Sequence, residues 1–308
     1  MNSTRITVCG GNREIRLNLI RSLTSAGTVP ENPPVDLNMI YETENVDYID
    51  CNIPVREYAD FIAKLNMDFR LNFNPEDSDK SDVIWYCIDG KAGVDELGML
   101  AKFRGRVLFT ITDGDDLNGD KLRERTEALE NAGFDRRSLV FVSLENKSGL
   151  VLLIEKSIRL LGGSLTVPSE ELAILKTRIS TMADSYLYWA AGRAFAIALV
   201  PLPMADITPL VMNEAYMFYK LGQIYGYAVD KTVWAGFLGC LGASVGGKIA
   251  VSFVPFLKAP IAAGITYAVG CAAKAYFESD MTLERNELKD IFRNAKAKGE
   301  KMDWRESR

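Results

Sequence analysis

Short runs of β-branched and aromatic residues alternate with amphipathic stretches from residue 1 to about residue 163. Six strands are predicted, at Arg5–Cys9, Leu37–Tyr41, Val46–Cys51, Val83–Ile88, Val107–Ile111 and Leu139–Val142. Helical periodicity predicts helices at Glu14–Ala26, Pro54–Leu65, Val94–Lys102, Asp120–Ala132 and Ser148–Leu161. This alternation indicates an α/β domain with a doubly wound, mostly parallel sheet, whose ligands bind beyond the carboxyl ends of the strands.

The pattern changes after residue 163. A polar helix is predicted over Ser169–Ser185, and apolar stretches rich in glycine and alanine follow it. We expect a connecting helix over residues 164–184, an all-α helical hairpin domain over 185–278 and a charged helical tail over 279–308. Pro201 and Pro203 are expected to end one helix and Pro209 to lie in the first turn of the next. Two domains also suit a length of 308 residues.

The amino-acid composition argues against several classes of function. The chain has no histidine, which excludes histidine-based catalysis and histidine zinc sites, and its net charge of −5 gives no reason to expect nucleic acid as a partner. The five cysteines form no C-x-x-C pair and favour buried thiols in a reduced, cytoplasmic environment. The N-terminus has no apolar signal core, so secretion by the usual route is not expected.

The first strand, loop and helix read ITVCGGNREIRLNLIRSL. This stretch resembles the start of Era-type and Ras-like GTPases, where G-x-x-x-x-G-K-[ST] wraps nucleotide phosphates. Gly10 matches the first glycine, whereas Ile15, Arg16 and Leu17 stand where the family has glycine, lysine and Ser/Thr. Ile15 disfavours a tight phosphate-binding turn, and Leu17 offers Mg²⁺ no oxygen. The motif therefore has the family's position without its chemistry.

Three later loops match the remaining GTPase motifs in part. YIDCNI keeps Asp50, which the resemblance places near Mg²⁺, but has Ile53 in place of the glycine of D-x-x-G. ITDGDDL keeps Thr112 and Asp115 of the guanine-reading [NT]-K-x-D, and VSLENKSG keeps Ser143 of S-A-K. The order and spacing of these matches favour a GTPase-like domain. The nucleotide-binding candidates are Gly10, Gly11, Arg16, Asp50, Thr112, Asp115 and Ser143.

The degenerate loops favour a pseudo-GTPase with no catalytic residue, no metal and no cofactor. The alternatives are retained binding of GTP or GDP through Asp115, with Mg²⁺ near Asp50, and active hydrolysis with Arg16 in place of lysine. A further alternative is a flavodoxin-like domain with ordinary surface loops. Gly242–Lys248 (GASVGGK) also fits G-x-x-x-x-G-K in letters. Ile249 follows it within an apolar helical pattern, so no phosphate site is expected there.

The stretch from residue 185 to 278 resembles the C-terminal helical domain of unknown function found in bacterial Era-type GTPases and their inner-membrane relatives. The matching residues are Pro201, Pro203, Ala205, Asp206, Tyr219, Leu221, Tyr225 and Gly226. Met204 departs from the family's usual glycine. The resemblance implies a glycine-rich helical hairpin whose small residues let helices approach closely.

Two readings of this hairpin stay open, shallow membrane insertion and a tightly packed helical domain. No apolar run reaches the length of about 20 residues that a spanning helix needs. Lys248 and Lys258 are costly inside a bilayer, although both lie near predicted helix ends. The residues expected to contact a membrane or a partner are Trp234, Phe237, Gly239, Gly242, Gly246, Lys248, Phe253, Phe256 and Lys258.

Three functions follow as hypotheses. The first is a non-catalytic, GTPase-like regulatory or scaffold protein that associates with the inner membrane, with an active GTPase or with itself. The second is a weakly active guanine-nucleotide switch. The third is a membrane-perturbing effector that acts through the helical hairpin.

Overall fold

The computed structural model describes residues 4–33, 38–52, 83–88, 97, 100–101, 105–112, 119–161, 169–200, 208–241 and 259–304. The chain divides into two compact units, Met1–Leu175 and Lys176–Arg308. The first unit contains a six-stranded sheet with helices, and the elements described in the second unit are helices. The protein is therefore of the α/β class.

The sheet of the first unit contains all six predicted strands. They are β1 Thr4–Gly10, β2 Asn38–Glu42, β3 Val46–Cys51, β4 Val83–Ile88, β5 Val107–Ile111 and β6 Leu139–Phe141. Their order across the sheet is β2-β3-β1-β4-β5-β6. The edge strand β2 is antiparallel to β3, and the other neighbouring pairs are parallel. The prediction of a mostly parallel sheet is confirmed.

Three α-helices are described in full in this unit. They are α1 Arg13–Leu23, α2 Gly119–Asn131 and α3 Leu150–Leu160, and a 3₁₀ helix at Arg136–Ser138 precedes β6. They confirm three of the five predicted helices. The helix predicted at Pro54–Leu65 lies outside the described residues, and only residues 97, 100 and 101 are described in the predicted helix Val94–Lys102.

The core of the first unit is centred on the middle strands. Every residue of β3, β4 and β5 is buried, which is expected of a sheet covered on both faces. Trp85 lies at the centre, and its indole nitrogen donates a 2.9 Å hydrogen bond to Ser157 Oγ of α3. Phe109 of β5 packs edge-on against Phe134. These contacts fix the strands whose carboxyl ends carry the candidate site.

Five helices are described toward the C-terminus. They are α4 Ser169–Leu199, α5 Thr208–Tyr225, α6 Lys231–Leu241, α7 Ala259–Glu278 and α8 Arg285–Gly299. The polar helix predicted over Ser169–Ser185 continues without a break to Leu199, ahead of Pro201. Pro209 lies in the first turn of α5, as predicted. Among the described residues, no helix is long and apolar enough to cross a membrane.

Two glycines allow α7 and α8 to pack closely. A Cβ added at Gly264 would lie 2.9 Å from the backbone nitrogen of Glu300, and one at Gly299 would lie 3.0 Å from the Cα of Gly264. At Gly239, where the sequence suggested a small-residue stripe, an added Cβ meets no described atom within 4 Å. This close contact between α7 and α8 is therefore made by glycines that the sequence did not single out.

Candidate functional site

The candidate site lies at the carboxyl ends of β1 and β3. From β1 the chain leads to β2 and β3 on one side of the sheet, and from β3 it leads to β4, β5 and β6 on the other. The gap between β1 and β3 is thus the topological switch point, where doubly wound folds place their ligands. Gly10 ends β1 and Asp50 lies near the end of β3. Both are sequence-predicted site residues, and the structure brings them together.

Only Gly11 and Asn12 separate β1 from α1. Gly10 and Gly11 have φ angles of +70° and +54°, which β-branched residues strongly disfavour. A Cβ on Gly10 would also lie 2.7 Å from the carbonyl oxygen of Cys87 on β4. The two glycines are therefore explained by the tight turn and the close approach to β4.

The helix that follows begins earlier than the phosphate-loop motif allows. Asn12 is the N-cap of α1, and its side chain accepts a 2.9 Å hydrogen bond from the backbone nitrogen of Ile15. Positions that belong to the loop in G-x-x-x-x-G-K-[ST] are therefore already helical here. This local start explains why Ile15 is tolerated, since no positive φ is needed within the helix.

Arg16 occupies the switch point. The residue is 3% exposed, and its Nε donates a 2.7 Å hydrogen bond to Asp50 Oδ1. Its Nη1 donates to the carbonyl oxygens of Gly10 and Gly11 at 2.9 and 3.1 Å, and its Nη2 donates to Asn52 Oδ1 at 2.9 Å. A guanidinium group has five N–H donors, so these four bonds satisfy most of its capacity. Arg16 thus joins β1, β3 and α1.

Asp50 has a second cationic partner. Arg13, one helical turn before Arg16, lies with its Nε 3.4 Å from Asp50 Oδ2 and also donates to the carbonyl oxygen of Pro33. The carboxylate, 1% exposed, therefore lies between two arginines, as a buried charge requires. Burial raises the pKa of the nearby Tyr41, and the negative charge of Asp50 raises it further.

The residues present do not fit a nucleotide phosphate with Mg²⁺. A phosphate cradle directs backbone N–H groups at the ligand, whereas the carbonyl oxygens of Gly10 and Gly11 point at the guanidinium. Asp50, the residue that would face Mg²⁺, is held by Arg13 and Arg16. The arrangement binds a cation belonging to the chain itself, and it serves as a structural ion-pair network.

The predicted base-reading residues lie along the same edge of the sheet. Thr112 follows β5 and Ser143 follows β6, and the Val142 nitrogen donates to the Ile111 carbonyl, so these two strand ends are adjacent. The Thr112 hydroxyl is buried without a hydrogen-bond partner among the described residues. Asp115 lies outside the described residues. The structure thus places Thr112 and Ser143 two or more strands away from Arg16.

The helical candidates separate into buried and exposed residues. Phe237 is buried, with its ring 4.7 Å from that of Phe218, so it packs inside the helical unit; this corrects the expectation that it contacts a membrane or partner. Trp234 is partly buried against the same ring at 4.9 Å. Gly239 is exposed. The other candidates, Gly242, Gly246, Lys248, Phe253, Phe256 and Lys258, lie outside the described residues.

A second buried carboxyl group lies in the helical unit. Glu214 of α5 is 1% exposed, and Thr266 of α7 donates a 3.3 Å hydrogen bond to its Oε1. Desolvation raises the pKa of Glu214 to about 8, and the Thr266 hydrogen bond only partly opposes this. The side chain is therefore mostly protonated at neutral pH. Among the described residues, no group of three or more His, Cys, Asp or Glu side chains is placed to hold a metal ion.

Sequence reasoning missed Arg13, Asn52, Tyr41 and Glu214. The spacing of Arg13 and Arg16 was a usable signal, because residues three apart share a helix face and two arginines there call for an acidic partner. Nothing local marks Glu214 as buried. Comparison with known protein families, curated proteins and solved structures gave no match. The proposed function is therefore based on the geometry of the site.

Proposed function

We propose that this chain is a Ras-like pseudo-GTPase, a non-catalytic regulatory or scaffold protein that works through a membrane or a partner such as an active GTPase. The observation that carries the proposal is the Arg16 guanidinium, which fills the switch point of the sheet with four hydrogen bonds. A nucleotide phosphate would have to displace a buried ion pair and would then meet two carbonyl oxygens.

The sheet supports the Ras-like part of the proposal. The order β2-β3-β1-β4-β5-β6, with an antiparallel β2 at the edge, agrees with the resemblance of the loop after β1 to GTPases. The two-residue loop supports the absence of turnover, because it is too short to wrap a phosphate chain. Together they favour a domain that keeps the architecture and has lost the ligand.

The proposal is tested by calorimetry on the full chain with GTP, GDP and ATP, each with and without Mg²⁺. We expect no binding heat with any nucleotide. The matched variant is Arg16→Lys, which restores the motif's lysine, and it too is expected to show no heat because the loop remains two residues long. Magnesium-dependent GTP binding at micromolar affinity in the unmodified chain contradicts the proposal and establishes the guanine-nucleotide switch instead.

The membrane-perturbing hypothesis depends on the segment 242–258, which lies outside the described residues. Within the described residues, membrane association has to be argued from another surface.

A further inference from the structure

One side of the helical unit carries a concentration of exposed apolar side chains. Seven of the eight large apolar residues that are exposed in the described part of the chain lie on or beside α4 and α5. One of them, Ile174, lies near the start of α4, and the other six lie further along the chain. They are Trp189, Leu199, Val200, Val211, Met212 and Tyr216, which we call the α4–α5 face. Isolated exposed apolar residues are ordinary, whereas a group of this size marks an interaction surface.

Aromatic residues of the two helices lie close together. The ring of Tyr186 lies 5.2 Å from that of Trp189 on α4 and 6.3 Å from that of Tyr216 on α5. Asn213 of α5 donates a 3.0 Å hydrogen bond to the carbonyl oxygen of Ala190, which ties the helices side by side. Trp189 of α4 therefore lies close to Tyr216 of α5, with Tyr186 between them.

The charges on this face are positive. The Arg193 guanidinium lies 4.6 Å from the centroid of the Trp189 ring, and Lys220 Nζ lies 5.9 Å from that of Tyr216. The described charged residues from Ser185 to Lys220 are Arg193, Glu214 and Lys220, and Glu214 is buried. The chain as a whole has a net charge of −5, so the sign of the charge on this face is opposite to that of the whole chain.

We propose that the α4–α5 face lies on the surface of an anionic lipid bilayer. Tryptophan and tyrosine suit the boundary between headgroups and acyl chains, and arginine and lysine beside them reach the lipid phosphates. Trp189 and Leu199 are separated by about 15 Å along the helix axis, a length suited to a helix lying in the plane of the interface. This inference rests on the proposed function and identifies the α4–α5 face as the surface of the chain that contacts the membrane.

The positive charge also argues against a second copy as the occupant. A two-fold interface brings the same patch of each subunit together, and Arg193 and Lys220 would then lie in an apolar contact with their own equivalents. A bilayer containing anionic lipid instead supplies the opposite charge along with apolar chains.

The test is co-sedimentation of the full chain with vesicles of phosphatidylcholine alone and of equimolar phosphatidylcholine and phosphatidylglycerol. We expect binding to the anionic vesicles, weakened in about 0.5 M NaCl because salt screens Arg193 and Lys220. Met212→Glu removes an apolar contact and adds repulsion, so its affinity is expected to fall by roughly tenfold or more. Ile174→Glu changes a residue of similar exposure, 68% against 63%, that lies on α4 fifteen residues before Trp189, and this variant is expected to bind normally.

Fluorescence gives an independent readout that needs no destabilising change. Trp85 and Trp304 are buried and Trp234 is partly buried, so Trp189, 47% exposed, is the most exposed of the four tryptophans. Anionic vesicles should shift its emission to the blue, and Trp189→Phe should abolish the shift. The proposal is overturned by no binding to anionic vesicles, by equal binding of Met212→Glu, or by a dimer in sedimentation velocity that Met212→Glu dissociates. None of these results changes the calorimetric outcome for nucleotides.

Discussion

Asp50 in the α/β unit and Glu214 in the helical unit are both 1% exposed, yet their surroundings differ. Asp50 contacts two arginines, whereas Glu214 receives a hydrogen bond from the hydroxyl of Thr266. The first carboxyl group is held by two guanidinium groups, which link β3 to α1. The second keeps its proton, because burial without a cation disfavours the ionised form. A buried acid alone therefore does not define a site, and its partners decide what it does.

The largest loss of stability is expected when Asp50 loses one of its two arginine partners. Arg16→Met keeps much of the side-chain volume but leaves Asp50 with Arg13 at 3.4 Å. Removing one partner of a buried ion pair costs about 3–5 kcal/mol, so the free energy of unfolding should fall by that amount. Urea denaturation followed by circular dichroism measures it.

Arg13→Met is the matched control for this experiment. Its side chain is 20% exposed and its contact with Asp50 is longer, so a smaller loss is expected. Equal losses in the two variants would mean that Arg16 contributes no more than Arg13 to the free energy of unfolding.

The raised pKa of Glu214 predicts that the free energy of unfolding depends on pH. Between pH 4.5 and about 8 the folded chain holds a proton on Glu214 that the unfolded chain releases, so stability falls as the pH rises through this window. At pH 7 the loss is about 3 kcal/mol, on the scale of about 1.36 kcal/mol per pKa unit. Glu214→Gln removes the titrating group and should stabilise the helical unit by about this amount at pH 7 and little at pH 4.

Thermal unfolding of Glu214→Gln and the parent at pH 4, 7 and 9 tests the sign and the window. Asp290→Asn makes the same change of carboxylate to amide where the side chain is 64% exposed, and it should leave the pH profile unchanged. An unaltered profile in Glu214→Gln would show that Glu214 ionises inside the fold as easily as in water.

The smallest change in stability is expected from substitutions of glycine in the helical unit. They test the close packing of its helices, whereas the preceding variants test polar contacts. Gly264→Ala places a Cβ against the Glu300 backbone, and overpacking of this kind costs about 1–3 kcal/mol. Gly239→Ala adds the same methyl group to α6 in open space and should stabilise the protein by about 0.5–1 kcal/mol. Opposite changes in melting temperature are expected, and changes of the same sign would disprove close packing at Gly264.

The central strands were predictable because they are compact runs of buried, mostly apolar residues, as in Val83–Ile88 and Val107–Ile111. The position of the candidate site was predictable for a similar reason, since the carboxyl ends of parallel strands share one edge. The contents of the site were not, because the contact between Arg16 and Asp50 joins residues 34 positions apart. That pairing depends on β1 lying beside β3, and no local pattern states which strands are neighbours.

In the helical unit, the exposure of apolar residues could not be predicted, for a different reason. Phe237 and Trp189 both lie in apolar helical stretches, yet one is buried and the other is 47% exposed. A sequence in which apolar residues surround the helix has no periodicity that separates a packed face from an outer one. Three of the nine expected contact residues lie on α6 and six lie outside the described residues, whereas the exposed large apolar residues of the described chain concentrate on α4 and α5.

The two-residue connection between β1 and α1 also limits how this protein can change. Substitutions alone could rebuild the letters of a phosphate-binding motif, with glycine, lysine and serine at positions 15, 16 and 17. Those residues would still fall within α1, which begins at Arg13, and Asn12 would still cap it. If the proposed function is correct, nucleotide binding would require an insertion that lengthens the backbone ahead of the helix. The length of this connection, and not the identity of the side chains alone, is therefore what an engineer would have to change.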